Sequence, residues 1–236
     1  MPDAIALEHV WKYFGDYAAL RNLTLRVDAG SCCALLGRNG AGKTTLLRIV
    51  AGLSHFQRGS VSVFGERANS EKARRQVGFL GHGIGVYDDL SARENLHFFG
   101  RITGVEKPNR AADSWLERVE LTRVARMPVR QFSRGMRQRL ALARTFLHKP
   151  SVLLLDEPFT SLDDRAIAML SELLMEARQR GATIIFSTHQ LREAFAIASH
   201  VALVENGRLR HAGERTPQMV EDPGLLYRLY MDAGAA

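Results

Sequence analysis

The chain has 236 residues, 46% hydrophobic and 24% charged, enough to bury a real core in one domain or two, with no internal repeat or low-complexity segment. Its net charge of +7 leaves nucleic acid, an anionic membrane surface and acidic nucleotide substrates open, but the basic residues are scattered, which favours solvated helix faces with room for a membrane-surface contribution. The only cysteines, Cys32 and Cys33, are adjacent inside an apolar run; this excludes a disulfide framework and points to buried strand residues in a reducing compartment.

The start, MPDAIALEHV, has no basic leader, and no window reaches the length of a bilayer span, so the chain is expected to be soluble or held at a membrane through a partner. ALEHV and NLTLRV (22 to 27) alternate polar and apolar residues and predict half-exposed antiparallel strands. CCALL is a short apolar run of the kind found in a strand covered on both faces. It leads into GRNGAGKTT at 37 to 45, a G-x-x-x-x-G-K-T loop that opens into the amphipathic run TTLLRIVAGL. Strand, glycine loop and helix in that order make a phosphate cradle. Gly37, Gly40 and Gly42 free the backbone so that consecutive N–H groups of Gly37, Arg38, Asn39, Gly40, Ala41, Gly42, Lys43, Thr44 and Thr45 converge on an anion at the positive end of a helix. Lys43 then reaches the β and γ oxygens of a nucleotide, and the Thr44 hydroxyl joins a Mg²⁺ shell.

VGFLGHGIG at 77 to 85 reads as a strand leaving into a flexible hinge, since its glycine pattern lacks the helix and distant acid of a dinucleotide fingerprint. From about Leu90 to Lys149 strand signals vanish and amphipathic helical patterns follow, with breaks at Gly104, Pro108 and Pro128; a helical insertion is expected. In FSRGMRQRLALAR (132 to 144), Ser133 stands where a helix N-cap belongs and Gly135 follows it. SVLLLDEP sets Asp156 and Glu157 at the mouth of a buried strand, where an acidic pair needs a cation to serve: Asp156 to hold Mg²⁺, Glu157 to orient or deprotonate the attacking water. RAIAMLSELLMEARQR carries apolar residues at Ile167, Leu170, Leu173 and Leu174 and stops at Gly181; ATIIFS is a further central strand; Asn206-Gly207 between VALV and RLRHAG marks a hairpin; the tail from Thr216 is a weak helical segment.

With the glycine loop, DEP, the SLD at 161 to 163 and the STH ending in His189, the FSRGM stretch resembles the ATP-binding subunits of ABC transporters over nearly the whole chain. The resemblance implies an α/β P-loop NTPase core with a small antiparallel β-subdomain and an inserted helical subdomain: one domain over 1–236, its core in 1–82 and 150–215, the helices in 83–149, a tail at 216–236. It implies ATP and Mg²⁺ as cofactors, and Phe14 as the aromatic stacked on adenine, with a core aromatic as the competing reading and Tyr13 close enough to be confused with it. Ser133 and Gly135 would contact the γ-phosphate of the opposite subunit in a head-to-tail dimer, Asp163 would cross that interface, and His189 would sense the γ-phosphate and position water.

The sequence departs from the family at two places. Arg134 and Met136 replace a glycine and a glutamine in the usual LSGGQ, and His82 stands where a glutamine usually meets Mg²⁺ and water; a neutral imidazole can partly replace it, with pH sensitivity as the consequence. The G-H pair followed by LSARENL is similar to the heme-exporter ATPase of cytochrome c maturation, while FSRGMRQR is shared with subunits serving drug, polysaccharide or other exporters. The expected partners are separate transmembrane permease subunits, docked near His82 to Asn95, and a second copy of the chain, at the cytoplasmic face of a membrane, with no nucleic acid. A soluble ABC ATPase acting on nucleic acid or ribosomes is the rival from another class; one cassette and no sustained heptads speak against it, as the Glu157 and His189 pair speaks against a switch without turnover.

Overall fold

Strand β1 (Asp3–Phe14) runs antiparallel to β2 (Tyr17–Asp28), with Phe14 opposite Tyr17 at the hairpin tip. The alternation read from the sequence is real: Leu23, Leu25 and Val27 are buried, while Asn22, Thr24 and Arg26 between them face solvent. A computed structural model describes residues 3–81, 85–160, 164–189 and 191–230. In it β4 (Arg58–Val63) and β5 (Glu66–Arg67) extend this first sheet in the order β2-β1-β4-β5.

The second sheet holds the apolar runs. β3 (Cys32–Leu36), β6 (Val77–Leu80), β7 (Val152–Asp156), β8 (Thr183–Thr188) and β9 (His200–Glu205) are parallel, and β10 (Arg208–Glu214) returns antiparallel at the edge, in the order β10-β9-β3-β8-β7-β6. Every residue of β3, β7 and β8 is buried, as strands covered on both faces require. The β9–β10 hairpin turns through Asn206 and Gly207, both at positive φ (49° and 75°), which is the turn their residue types predict. Register then fixes the functional edge. Leu36 pairs with Thr188 and Asp156 with Ser187, so the segments that follow β3, β7 and β8 leave the sheet at one edge, the edge where ligands bind in parallel α/β sheets.

Helix α1 (Lys43–Val50) follows the glycine loop, α2 (Glu71–Gln76) precedes β6, and α3 (Ala92–Ile102), α4 (Pro108–Arg118) and α5 (Arg134–Phe146) fill the strandless stretch. Ser91 and Glu94 cap α3 reciprocally, Gly104 takes φ 78° after it, and Pro108 occupies the first turn of α4. Leu96, Leu116, Val129 and Leu140 form a small core of their own. The far end of α5 leaves that core: Leu142 and Phe146 pack with Leu153, Leu155 and Phe186 of the main sheet. α6 (Asp164–Gln179) buries Leu170, Leu173 and Leu174 there and half-buries Ile167, and Gly181 beyond its end takes φ 80°. After α7 (Leu191–Ile197), the tail forms α8 (Pro217–Glu221) and α9 (Leu225–Tyr230), whose Met219 and Leu226 are buried in the same core.

Candidate functional site

At the shared strand edge the chain leaves β3 through Gly37, whose φ of 147° suits glycine and whose missing Cβ would lie 2.3 Å from the Val204 carbonyl oxygen. Gly42 stands at the N-cap of α1 with φ 109° and no side-chain cap, so the first amides of α1 are left for a ligand. The Lys43 side chain folds back, its ammonium donating to the Gly37 carbonyl at 2.7 Å and the Arg38 carbonyl at 3.2 Å. Burial pushes its pKa down from the ordinary lysine value, while the Glu157 and Asp156 carboxylates pull it up.

The acidic pair is held by the neighbouring strand. The Ser187 hydroxyl donates to Asp156 Oδ1 at 2.7 Å and accepts from the Glu157 N–H at 2.9 Å. Asp156, only 3% exposed, receives the Thr44 hydroxyl on both oxygens at 2.8 and 3.1 Å. A hydroxyl and a carboxylate converging there are hard oxygen donors of the type Mg²⁺ takes. Among the described residues no group of three or more His, Cys, Asp or Glu could form an all-protein metal cage, so a cation here would need further oxygens from a ligand. Glu157 has a left-handed backbone, φ 51°, and its carboxylate accepts from Thr160 Oγ1 at 3.2 Å and meets His189 Nδ1 at 2.8 Å.

One cavity of about 650 Å³ is lined by residues 39–45, by Phe14 and Tyr17, and by Glu157, Thr160 and His189. Phe14 is 56% exposed, so it is not a core aromatic; Tyr13 stacks on Trp11 at 5.9 Å and does not line the cavity. Ser133 caps α5 by accepting from the Met136 N–H at 3.2 Å, and both Ser133 and Gly135 are exposed outside the cavity of their own chain. His82 and Asp163 lie outside the described residues, as does most of the hinge read at 81 to 85. No sequence motif marks Tyr17, Thr160 or Ser187 as a site residue; Ser187 sits inside the STH run, while Tyr17 is brought in by hairpin pairing opposite Phe14.

The ABC transporter family model matches residues 20–160. The chain belongs to the ABC transporter family. It is an ATP-binding subunit and an ABC-type ATP hydrolase. It is similar to the daunorubicin resistance ATP-binding protein of Streptomyces coeruleorubidus, with 37% identity covering 94% of this chain and 71% of that one. It is also similar to the Nod factor export ATP-binding protein I of Burkholderia lata, with 39% identity over 88% of this chain and 70% of that one. A solved dimeric ATP-binding cassette in a post-hydrolysis state, bound to ADP and Pi, superposes with a TM-score of 0.81 at 26% identity, over 90% of this chain and 99% of that one. Among the described residues no helix of this ABC ATPase is long and apolar enough to cross a membrane.

Proposed function

We propose that this subunit hydrolyses ATP in a head-to-tail dimer at the cytoplasmic face of a membrane and so drives export through separate permease subunits. The observation that carries the reading is the Glu157–His189 contact at 2.8 Å, facing the glycine loop across one cavity. In it residues 37–45 hold the phosphates, Lys43 swings from its own carbonyls to the β and γ oxygens, and Phe14 stacks on the base. Thr44 and Asp156 would hold Mg²⁺, which would supply screening of the phosphate charge. Glu157 takes the proton of the attacking water, and His189 fixes the carboxylate and meets the γ-phosphate. Ser133 and Gly135, exposed away from their own cavity, close the partner's site, with Asp163 across the same interface. The whole chain acts as one nucleotide-binding domain, with the helical subdomain at 83–149 and the permease groove near residues 82–95.

The relatives support export as the direction. One is named for daunorubicin resistance and the other for Nod factor export, so the cargo reading moves to drug or Nod-factor export; neither name supports the heme exporter that the G-H and LSARENL pattern suggests. Glu157→Gln tests the mechanism. It is expected to lower kcat by about 10²- to 10⁴-fold, the range for losing a general base, and to trap an ATP-bound dimer on gel filtration; unchanged hydrolysis would remove Glu157 from its assigned role. Purification of the tagged chain from detergent-solubilised membranes tests the partner: recovery with a multi-helix permease is expected, and recovery with ribosomes or DNA alone would overturn the transporter coupling.

A further inference from the structure

Lysine is almost never buried without a partner. The buried lysines among the described residues are Lys43, which rests on carbonyls of the glycine loop, and Lys12, 8% exposed on β1. Among the described residues Lys12 forms no ion pair. Its ammonium instead sits over the ring of Phe14, 4.5 Å from the centroid, two residues along the same strand. Phe14 lines the nucleotide cavity and Lys12 does not, and Phe14 as a residue remains 56% exposed, so the cation meets the ring from outside the cavity while part of Phe14 stays open to a ligand.

We propose that Lys12 is a positioning and specificity-determining residue for the nucleotide base, acting through Phe14. The inference rests on Phe14 stacking on adenine. A cation against one face of a phenyl ring draws π density toward itself and leaves the other face less negative, which suits an electron-rich aminopurine. It also fixes the orientation of a side chain at a hairpin tip that has little else to pack against. Lys12 is absent from the lining of the cavity that residues 39–45 share with Phe14, so it acts on the base through the ring and not on the triphosphate.

The test is a calorimetric comparison of ADP and inorganic tripolyphosphate binding to the full chain. Lys12→Met keeps the apolar stem and removes the charge. It should weaken ADP binding about two- to five-fold, the size of an ordinary cation–π contact, and leave tripolyphosphate binding unchanged. Lys12→Arg should restore the wild-type affinity, and Lys12→Gln repeats the measurement if methionine does not fold there. In a Phe14→Ala background, itself weakened toward ADP, removal of the Lys12 charge should have no further effect. Unchanged ADP affinity in Lys12→Met, equal weakening toward tripolyphosphate, or a loss that persists without Phe14 would each overturn the role of Lys12. Phe14→Ala binding ADP like wild type would overturn the stacking reading itself, and this proposal with it.

Discussion

Glu157 holds a backbone conformation that disfavours any residue with a Cβ, by about 1–2 kcal/mol, and the Ser187 hydroxyl beside it both fixes that turn and orients Asp156. The acids were legible in the sequence because DEP follows an apolar strand; their support was not, because Ser187 reaches them through strand pairing and lies 31 positions from Asp156. Tyr17 escaped the sequence for the same reason, since hairpin pairing sets it opposite Phe14, while Lys12 meets Phe14 through the two-residue period of a single strand. Cys32 and Cys33 are the opposite case, since an apolar run predicts their burial directly. That burial pushes their thiols up to about 11 and about 12 from 9.0, so both are neutral at physiological pH. Because the folded values lie above the unfolded one, their contribution to stability is complete below about pH 9 and is lost as pH rises through the folded values. A thiol reagent at pH 8 should therefore find no reactive cysteine in the native protein and two after unfolding in denaturant; fast native labelling would contradict the packing of β3.

Helix α5 joins two layers. It starts at the exposed Ser133 and ends among the residues under the main sheet, and close to that end Arg144 donates to the Phe79 carbonyl at 2.8 Å and the Gly85 carbonyl at 2.7 Å. Its guanidinium also lies 5.2 Å from the Phe99 ring of α3, and burial pulls its pKa below the usual arginine value. One side chain thus ties α5 to the residues on either side of 82–84 and to α3. Arg144→Met keeps the bulk and leaves both carbonyls without that donor; at about 1–1.5 kcal/mol for each hydrogen bond, a loss of roughly 2–3 kcal/mol is expected. A urea midpoint equal to wild type would show that water replaces the guanidinium there. The helical stretch was legible in outline because it lacks strand patterns, and β3, β7 and β8 because strands covered on both faces are apolar throughout. β4 and β5 were not legible: RGSVSV begins with Arg, Gly and Ser, and a two-residue strand has no periodicity to read.

Across the whole molecule the C-terminal tail shares a core with the strand that leads into the glycine loop. The tail's sequence is a weak helical pattern because α8 and α9 are short, five and six residues; Thr216 caps α8, but helices of this length depend on tertiary contacts. Leu226, 1% exposed, enters the core that also holds Leu36, the last residue before the glycine loop. The half-buried Tyr227 follows it; burial raises its pKa, while the Gly37 backbone and Arg38 lower it. Gly37, which follows Leu36 in the chain, accepts the Lys43 ammonium on its carbonyl. Loosening the tail should therefore weaken both the fold and the grip on nucleotide. Leu226→Ala leaves a cavity in a core shared by β3, β8 and α9 and is expected to lose about 2–5 kcal/mol, a fall in Tm of roughly 5–15 °C for a chain of this size. Below that Tm, the ADP affinity of the variant should fall with the packing if α9 supports the loop. A large drop in Tm with ADP affinity intact would separate the two, leaving the tail as a brace for the sheet and the glycine loop as self-supporting.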